Sequence, residues 1–296
     1  MDKTDIILTS FLLINSRTSY RELADKLGLS INAIHKRIQL LMESGIIRKF
    51  TAKVSLSALN AVTVVIFGNS EAGSTFNLYE NLGKHGSIYW VAIAGGNYLY
   101  VGAYLRNISE LEPFVEYVKK QARMANPTVG IIHSDTSPPS LHRSADVTLY
   151  PLDYQIIRAL HDNSRKPIAD VAQELGVSAK TVRRRLSRMI NNCLIELSIE
   201  WYPDASNDII TVFHIRLKPE AGKNAVGLTL KKCSPNVLFR WAFSNLPNDI
   251  MAVVWTNTMK ELKDIQGSFE REETFESIVP NILYVGYVFD TWRDKL

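Results

Sequence analysis

The feature that most constrains this 296-residue chain is an internal repeat. Aligning Asp5 with Asp153, a shift of 148 residues, brings Asn15-Ser16-Arg17 onto Asn163-Ser164-Arg165 and Leu27-Gly28-Leu29-Ser30 onto Leu175-Gly176-Val177-Ser178. Arg37 falls on Arg185, and Ile46-Ile47 on Leu194-Ile195. Eleven of the 43 gap-free positions are identical, and the identities cluster at residues that punctuate helices. A period this long is a domain duplication, not a solenoid.

Each copy opens with a three-helix pattern. Ile7, Leu8, Phe11 and Leu12 give helix one an apolar stripe. Ser19-Tyr20-Arg21-Glu22 reads as a capping box at the start of helix two, with Leu23, Ala24 and Leu27 turned inward. Gly28 ends that helix, because a left-handed cap is cheapest for glycine, and Ser30 caps the next. Ile34, Ile38 and Leu41 anchor helix three to the core. Gly45 ends it, and Ile46-Ile47 with Lys49–Val54 reads as a short wing hairpin. This is a winged helix-turn-helix, in which helix three faces nucleic acid. Its outward candidates are Ser30, Ile31, Asn32, His35, Lys36 and Gln39. Asn and Gln suit the adenine edge, and Lys suits guanine or phosphate. In copy two the candidates are Ser178, Lys180, Thr181, Arg183, Arg184 and Arg188, with Ser187 also outward. Arg185, like Arg37, falls one position before a core residue and is read as turning toward the backbone. Pro167 is expected at the start of the second unit's helix two, where a missing amide costs nothing.

The rest of each copy reads as βαββαβ, the ferredoxin-like split. In the first half the elements are Ala61–Phe67, Phe76–His85, Ile88–Ile93, Leu99–Leu105, a helix through Leu111, Phe114, Val115, Val118 and Ala122, and Val129–His133. In the second they are Ile209–Leu217, Glu220–Cys233, Val237–Phe243, Ile250–Thr256, Met259–Phe269 and Ile282–Phe289. The expected class is α+β. Domain boundaries are 1–56 (helix-turn-helix one), 57–135 (αβ module one), 136–150 (linker with Pro138-Pro139), 151–205 (helix-turn-helix two) and 206–296 (αβ module two). Each module buries one sheet face under its helices. Its other face must meet another sheet or a partner.

Charge follows the motifs. Residues 1–58 carry nine Lys/Arg against five Asp/Glu, and residues 150–200 carry eight against six. The remaining stretches are each slightly acidic, so the excess positive charge lies on the helical segments and favours a polyanion. No apolar run approaches the roughly 18–20 residues of a membrane span, and the N-terminus lacks signal-peptide order, which places the protein in the cytoplasm. Cys193 and Cys233 form no motif. No His/Cys cluster has zinc spacing, Gly222-Lys223 lacks the earlier glycine of a phosphate loop, and no cofactor or catalytic residue is expected. Glu270, Glu272, Glu273 and Glu276 read as a solvated helix end. Trp90, Tyr100, Trp241 and Trp255 sit on strand candidates and suit a core or interface better than a ligand cage.

The string Asn15-Ser16-Arg17, Glu22-Leu23-Ala24, Leu27-Gly28-Leu29-Ser30, Arg37-Ile38 and Ser44-Gly45-Ile46-Ile47 resembles the leucine-responsive regulator/AsnC (Lrp/AsnC) family of transcription factors. Leu152-Asp153, Asn163-Ser164-Arg165, Ala172, Leu175-Gly176-Val177-Ser178, Thr181-Val182 and Arg185-Leu186 carry the resemblance again. It implies double-stranded DNA as partner, a small amino-acid-like effector bound between αβ modules, and pairing of those modules. Its glycine-bearing loop between the two central strands corresponds to Gly95, Gly96, Asn97 and Tyr98. Copy two has Asn245-Leu246-Pro247-Asn248-Asp249 there, without glycine. Cys193 replaces Gly45, which directs attention to Asn191 and Asn192 as left-handed residues. Two units on one chain pose a choice between a homodimer and an intramolecular pseudo-dimer. Sirohaem decarboxylases share this architecture, including fused forms, but their Arg-Arg-Ile-Gly-type stretch is not matched by Ile47-Arg48-Lys49-Phe50-Thr51. A degenerate sensor without DNA binding is the third reading.

Overall fold

In a computed structural model the helix-turn-helix units of the two halves form one compact unit, together with Trp292–Leu296. The αβ modules form the other, together with Met1–Ile6. The structure describes residues 1–75, 77–132, 148–220, 227 and 230–296. Phe76, His133, the linker up to residue 147 and most of the Glu220–Cys233 helix candidate lie outside the described residues.

The helical unit contains α1 (Lys3–Ile14) from Ile7 onward, α2 (Tyr20–Leu27), α3 (Ile31–Glu43) and β1 (Ile47–Val54) from the first half. The second half supplies α6 (Pro151–Leu160), α7 (Ile168–Glu174), α8 (Ala179–Asn191) and β6 (Ile195–Trp201). Periodicity places the core correctly: Ile34, Ile38 and Leu41 are buried on α3, and Val182, Leu186 and Met189 on α8. Ala24 is 3% exposed, small enough for α2 and α3 to approach closely.

The wing differs from expectation. β1 does not fold back on itself but pairs antiparallel with β6, its counterpart in the other half, from Ile47↔Trp201 to Val54↔Ile195. Turning the strand outward to its copy satisfies its backbone groups without a hairpin turn. The repeated Asn-Ser-Arg motif forms the rest of this joint. Ser16 Oγ and Ser164 Oγ, the same residue of each copy, lie 2.6 Å apart and buried. Arg17 donates to the carbonyls of Ser164 and Lys166, and Arg165 donates to that of Thr18 at 2.8 Å. The C-terminal turn closes one end of the ribbon. Buried Arg293 donates to the Val54 carbonyl of β1 and to the Glu196 carboxylate of β6.

In the αβ unit, β2 (Val62–Asn69), α4 (Leu78–Leu82), β3 (Ile88–Ala94), β4 (Tyr98–Leu105), α5 (Leu111–Ala122) and β5 (Thr128–Ile131) make the first module. The second contains β7 (Ile209–Leu217), β8 (Val237–Ala242), β9 (Asp249–Thr256), α9 (Met259–Glu270) and β10 (Phe275–Val288). Glu276 therefore lies in a strand, not at a solvated helix end. β10 begins seven residues before the expected Ile282 and has two partners: its first part pairs with β7, and its last with β3 of the other module. The result is one eight-stranded sheet in the order β5-β2-β4-β3-β10-β7-β9-β8. Its two edges also meet, through an Ile132↔Phe243 bridge and the Asn245 side chain, which accepts from Ile131 N–H at 2.8 Å and donates to the Val129 carbonyl at 2.7 Å. The halves thus pair edge to edge within the chain, and closure leaves no exposed strand edge there. One sheet face packs on the helices through residues such as Val101, Phe114, Val118, Val254, Leu262 and Phe269.

Candidate nucleic-acid interface and the interior of the αβ unit

The two helix-turn-helix units are built by the same local rules. Gly28 (φ 65°) and Gly176 (φ 64°) take the left-handed conformation between the second and third helices. Leu29 N–H then returns to the Ala24 carbonyl and Val177 N–H to that of Ala172, each at 3.0 Å. Ser30 Oγ accepts from Ala33 N–H, and Ser178 Oγ from Thr181 N–H, both at 3.1 Å. Ser19 caps α2 through Glu22 N–H, but the Glu22 carboxylate pairs with Lys26 at 2.8 Å and completes no capping box. Pro167 stands one residue before α7, at its cap.

On α3, Ile31, Asn32, His35, Lys36 and Gln39 are all exposed, opposite the buried Ile34, Ile38 and Leu41. The His35 ring meets Tyr20 edge-on at 5.5 Å, and Gln39 donates to Glu43 at 2.8 Å. On α8, Lys180, Arg183 and Arg184 are exposed and Thr181 is half-buried beside Ser178. Among the described residues no acid pairs with Lys36, Lys180, Arg183 or Arg184. Arg188 stands apart: it donates to Asp153 at 2.9 Å and to the Thr148 carbonyl. Arg185 does not turn to the backbone; it donates to the same carboxylate at 3.1 Å. Cys193, not Asn191 or Asn192, takes the left-handed conformation that Gly45 holds in copy one (φ 54° against 75°). Both positions turn the chain from the third helix into its strand.

In the αβ unit, Gly96 (φ 66°) and Asn97 (φ 57°) shape the β3–β4 turn. Asn97 donates to the Ala72 carbonyl at 3.2 Å and its own carbonyl accepts from Ser70 N–H, so the loop is fastened to the segment after β2. A Cβ on Gly95 would stand 3.2 Å from the Tyr284 hydroxyl. Tyr98 alone of the four reaches a polar cluster that sequence reasoning missed. Tyr100 Oη lies 2.6 Å from His214 Nε2, and Asn281 Nδ2 donates to Tyr100 Oη at 2.8 Å. Tyr98 lies 5.7 Å from the His214 ring, and Phe67 5.4 Å. Burial pushes the Tyr100 phenol up and the His214 imidazole down to about 4, so the histidine is neutral at ordinary pH. Trp90 and Trp241 meet at 5.7 Å across the two modules, as interface residues. Trp255 is buried and donates to Asp208 at 2.9 Å. Among the described residues no three His, Cys, Asp or Glu side chains could hold a metal ion, and no helix is long and apolar enough to cross a membrane.

Two paired trihelical units in one body and a closed αβ sheet in the other define a helix-turn-helix protein of duplicated form. Family models agree: a winged helix-turn-helix DNA-binding domain matches residues 1–48, and an AsnC-type helix-turn-helix domain matches residues 151–190. The transcriptional regulator FL11 of Pyrococcus abyssi is 32% identical over 120 residues, covering 40% of this chain and 80% of the relative. An uncharacterized helix-turn-helix-type regulator of the same organism is 31% identical over 141 residues, 46% of this chain and 94% of the relative. The chain belongs to the Lrp/AsnC family, with two units where such a relative matches one half. The solved sirohaem decarboxylase NirDL covers 99% of this chain and 94% of its own at a TM-score of 0.64 and 14% identity, a likeness of fold.

Proposed function

We propose that this protein is a sequence-specific DNA-binding transcription regulator whose two reading units address unlike half-sites from a single chain. The observation that carries the reading is the β1–β6 ribbon with its Ser16–Ser164 contact, which pairs two capped recognition helices of different chemistry. On α3, Asn32, His35 and Gln39 offer base-edge hydrogen bonds and Lys36 a charge. On α8, Lys180, Arg183 and Arg184 offer mostly phosphate contacts. The amides at the Ser30 and Ser178 caps suit phosphates as well. Selection of duplexes from a random pool with the full chain is expected to return an asymmetric site. A palindrome would point to equivalent subunits, and no enrichment at low salt would overturn DNA reading.

Regulation by a small amino-acid-like molecule at Gly95–Tyr98 is part of this proposal, as is a role without catalysis. Support comes from the left-handed Gly96-Asn97 turn beside Tyr98, a geometry built in the first module alone. Amino acids that shift the thermal midpoint of the wild type, and not that of Gly96→Val, would bear it out.

One observation favours a second reading. The whole-chain fold likeness to a sirohaem decarboxylase accompanies a half-buried Tyr100–His214–Asn281 cluster in the αβ unit. Turnover of an added iron tetrapyrrole, lost in His214→Phe, would favour it. Selective DNA binding without turnover would exclude it.

A further inference from the structure

Seven side chains of α8 have positive or hydroxyl ends, yet the structure divides its cations into two groups. Asp153, on α6, is fully buried. Its Oδ1 accepts from Arg185 Nη1 at 3.1 Å, and its Oδ2 from Arg188 Nη1 at 2.9 Å and from Tyr150 N–H at 2.9 Å. Arg188 also donates to the Thr148 carbonyl and lies 4.8 Å from the centre of the Tyr150 ring, with Arg185 at 5.7 Å. The side chains of Arg185 and Arg188 retain only 26% and 28% of their exposure. Lys180, Arg183 and Arg184 stay exposed. In the first unit the position of Arg188 is Leu40, so the Arg188 arm of this clamp is a feature of the second copy.

We propose that Asp153 is a positioning residue that sorts the cations of α8. It withdraws Arg185 and Arg188 from the nucleic-acid backbone and leaves Lys180, Arg183 and Arg184 as the unit's phosphate contacts. A buried carboxylate is tolerated where charge-assisted hydrogen bonds fill its lone pairs, and here three donors do so. Arg185 is held inward by the buried acid, and Arg188 by that acid, the Thr148 carbonyl and the Tyr150 face, so reaching a phosphate oxygen would break these contacts. The second unit's electrostatic grip is therefore set by an acid on a different helix. This inference rests on the DNA-binding reading above.

The test is the salt dependence of binding of the full chain to a labelled duplex of mixed sequence. Each phosphate contact contributes about 0.9 to the slope of log affinity against log salt. Arg183→Ala and Arg184→Ala are each expected to reduce the slope by about 0.9. Arg188→Leu, which installs the residue of the first unit, is expected to leave the slope unchanged while lowering the thermal midpoint. Asp153→Asn, if it folds, is expected to steepen the slope as the two arginines are released. A loss of about 0.9 in Arg188→Leu, equal to that in Arg183→Ala, would overturn the sorting. A wild type that fails to bind the duplex at low salt would instead overturn the DNA reading itself.

Discussion

Set side by side, the two halves of the chain keep the same turns and change the chemistry around them. Where the first half has Phe67, the second has His214, and the two rings meet 5.4 Å apart inside the αβ unit. Where the first recognition helix has Leu40, the second has Arg188, clamped to Asp153. Where the first turns on Gly45, the second turns on Cys193. The difference teaches that duplication released the copies from having to be their own partners. In a symmetric pair any polar group placed at the dyad meets itself. Here a tyrosine of one half meets a histidine and an asparagine of the other.

The largest expected effect breaks the comparison at His214. Its imidazole is driven down to about 4 by burial, against an ordinary value near 6.5. The unfolded chain therefore takes up a proton between those limits that the folded chain refuses. This contribution is complete above about pH 6.5 and declines as pH falls toward 4, by about 3 kcal/mol in all. His214→Phe, which copies Phe67, should flatten that limb relative to wild type in urea unfolding at neutral and acid pH. A parallel offset at both would refute the assignment.

Next in size, Asp153→Ala should cost about 2 kcal/mol, because it leaves two partly buried guanidinium groups and the Tyr150 amide without their acceptor. Asp5→Ala at the equivalent place loses the bond its carboxylate accepts from Asp2 N–H, keeps the bond from its own N–H to Asp2, and should cost about 0.5–1 kcal/mol. Equal losses in far-UV circular dichroism melts would erase the asymmetry. At the third-helix turns, Gly45→Ala should cost about 1 kcal/mol, since alanine is disfavoured at positive φ. Cys193→Gly relieves the same strain but gives up buried side-chain contact, so its net effect should stay within about 0.5 kcal/mol. Comparable to Gly45→Ala, Asn245→Ala removes two hydrogen bonds between the sheet edges and should lower stability by about 1 kcal/mol, with the αβ tryptophans as reporters.

Much of this was legible in the residues, for local reasons. Ser30, Gly28, Ser178 and Gly176 announce their helix ends because caps and left-handed turns are properties of a few neighbouring atoms. The burial of Ile34, Ile38 and Leu41 follows from the helical period alone. The outer faces of α3 and α8 were readable by subtraction from those cores. The tertiary joints were not. Ile47–Val54 looks like half of a hairpin, because nothing within the strand says that its partner is residue 195 or beyond. Asp153 reads as an acid near a helix start, and only the packing of α6 on α8 brings Arg185 and Arg188 to it. Tyr100, His214 and Asn281 are spread over 181 residues and meet through strand order. The signal that was available lay in the repeat: Asn-Ser-Arg is retained in both copies, and it is the motif at which they touch.

The Ser16–Ser164 contact has a consequence for how the reading units come together. Two separate chains must find each other, and the fraction paired depends on how many are present. Two units on one chain face each other at an effective concentration set by the intervening polypeptide, whatever the number of molecules in the cell. Assembly of the double reading head is therefore a first-order event. A cell holding only a few copies would still present every one of them with both recognition helices in place, and a mutation in one half would never be doubled in the other.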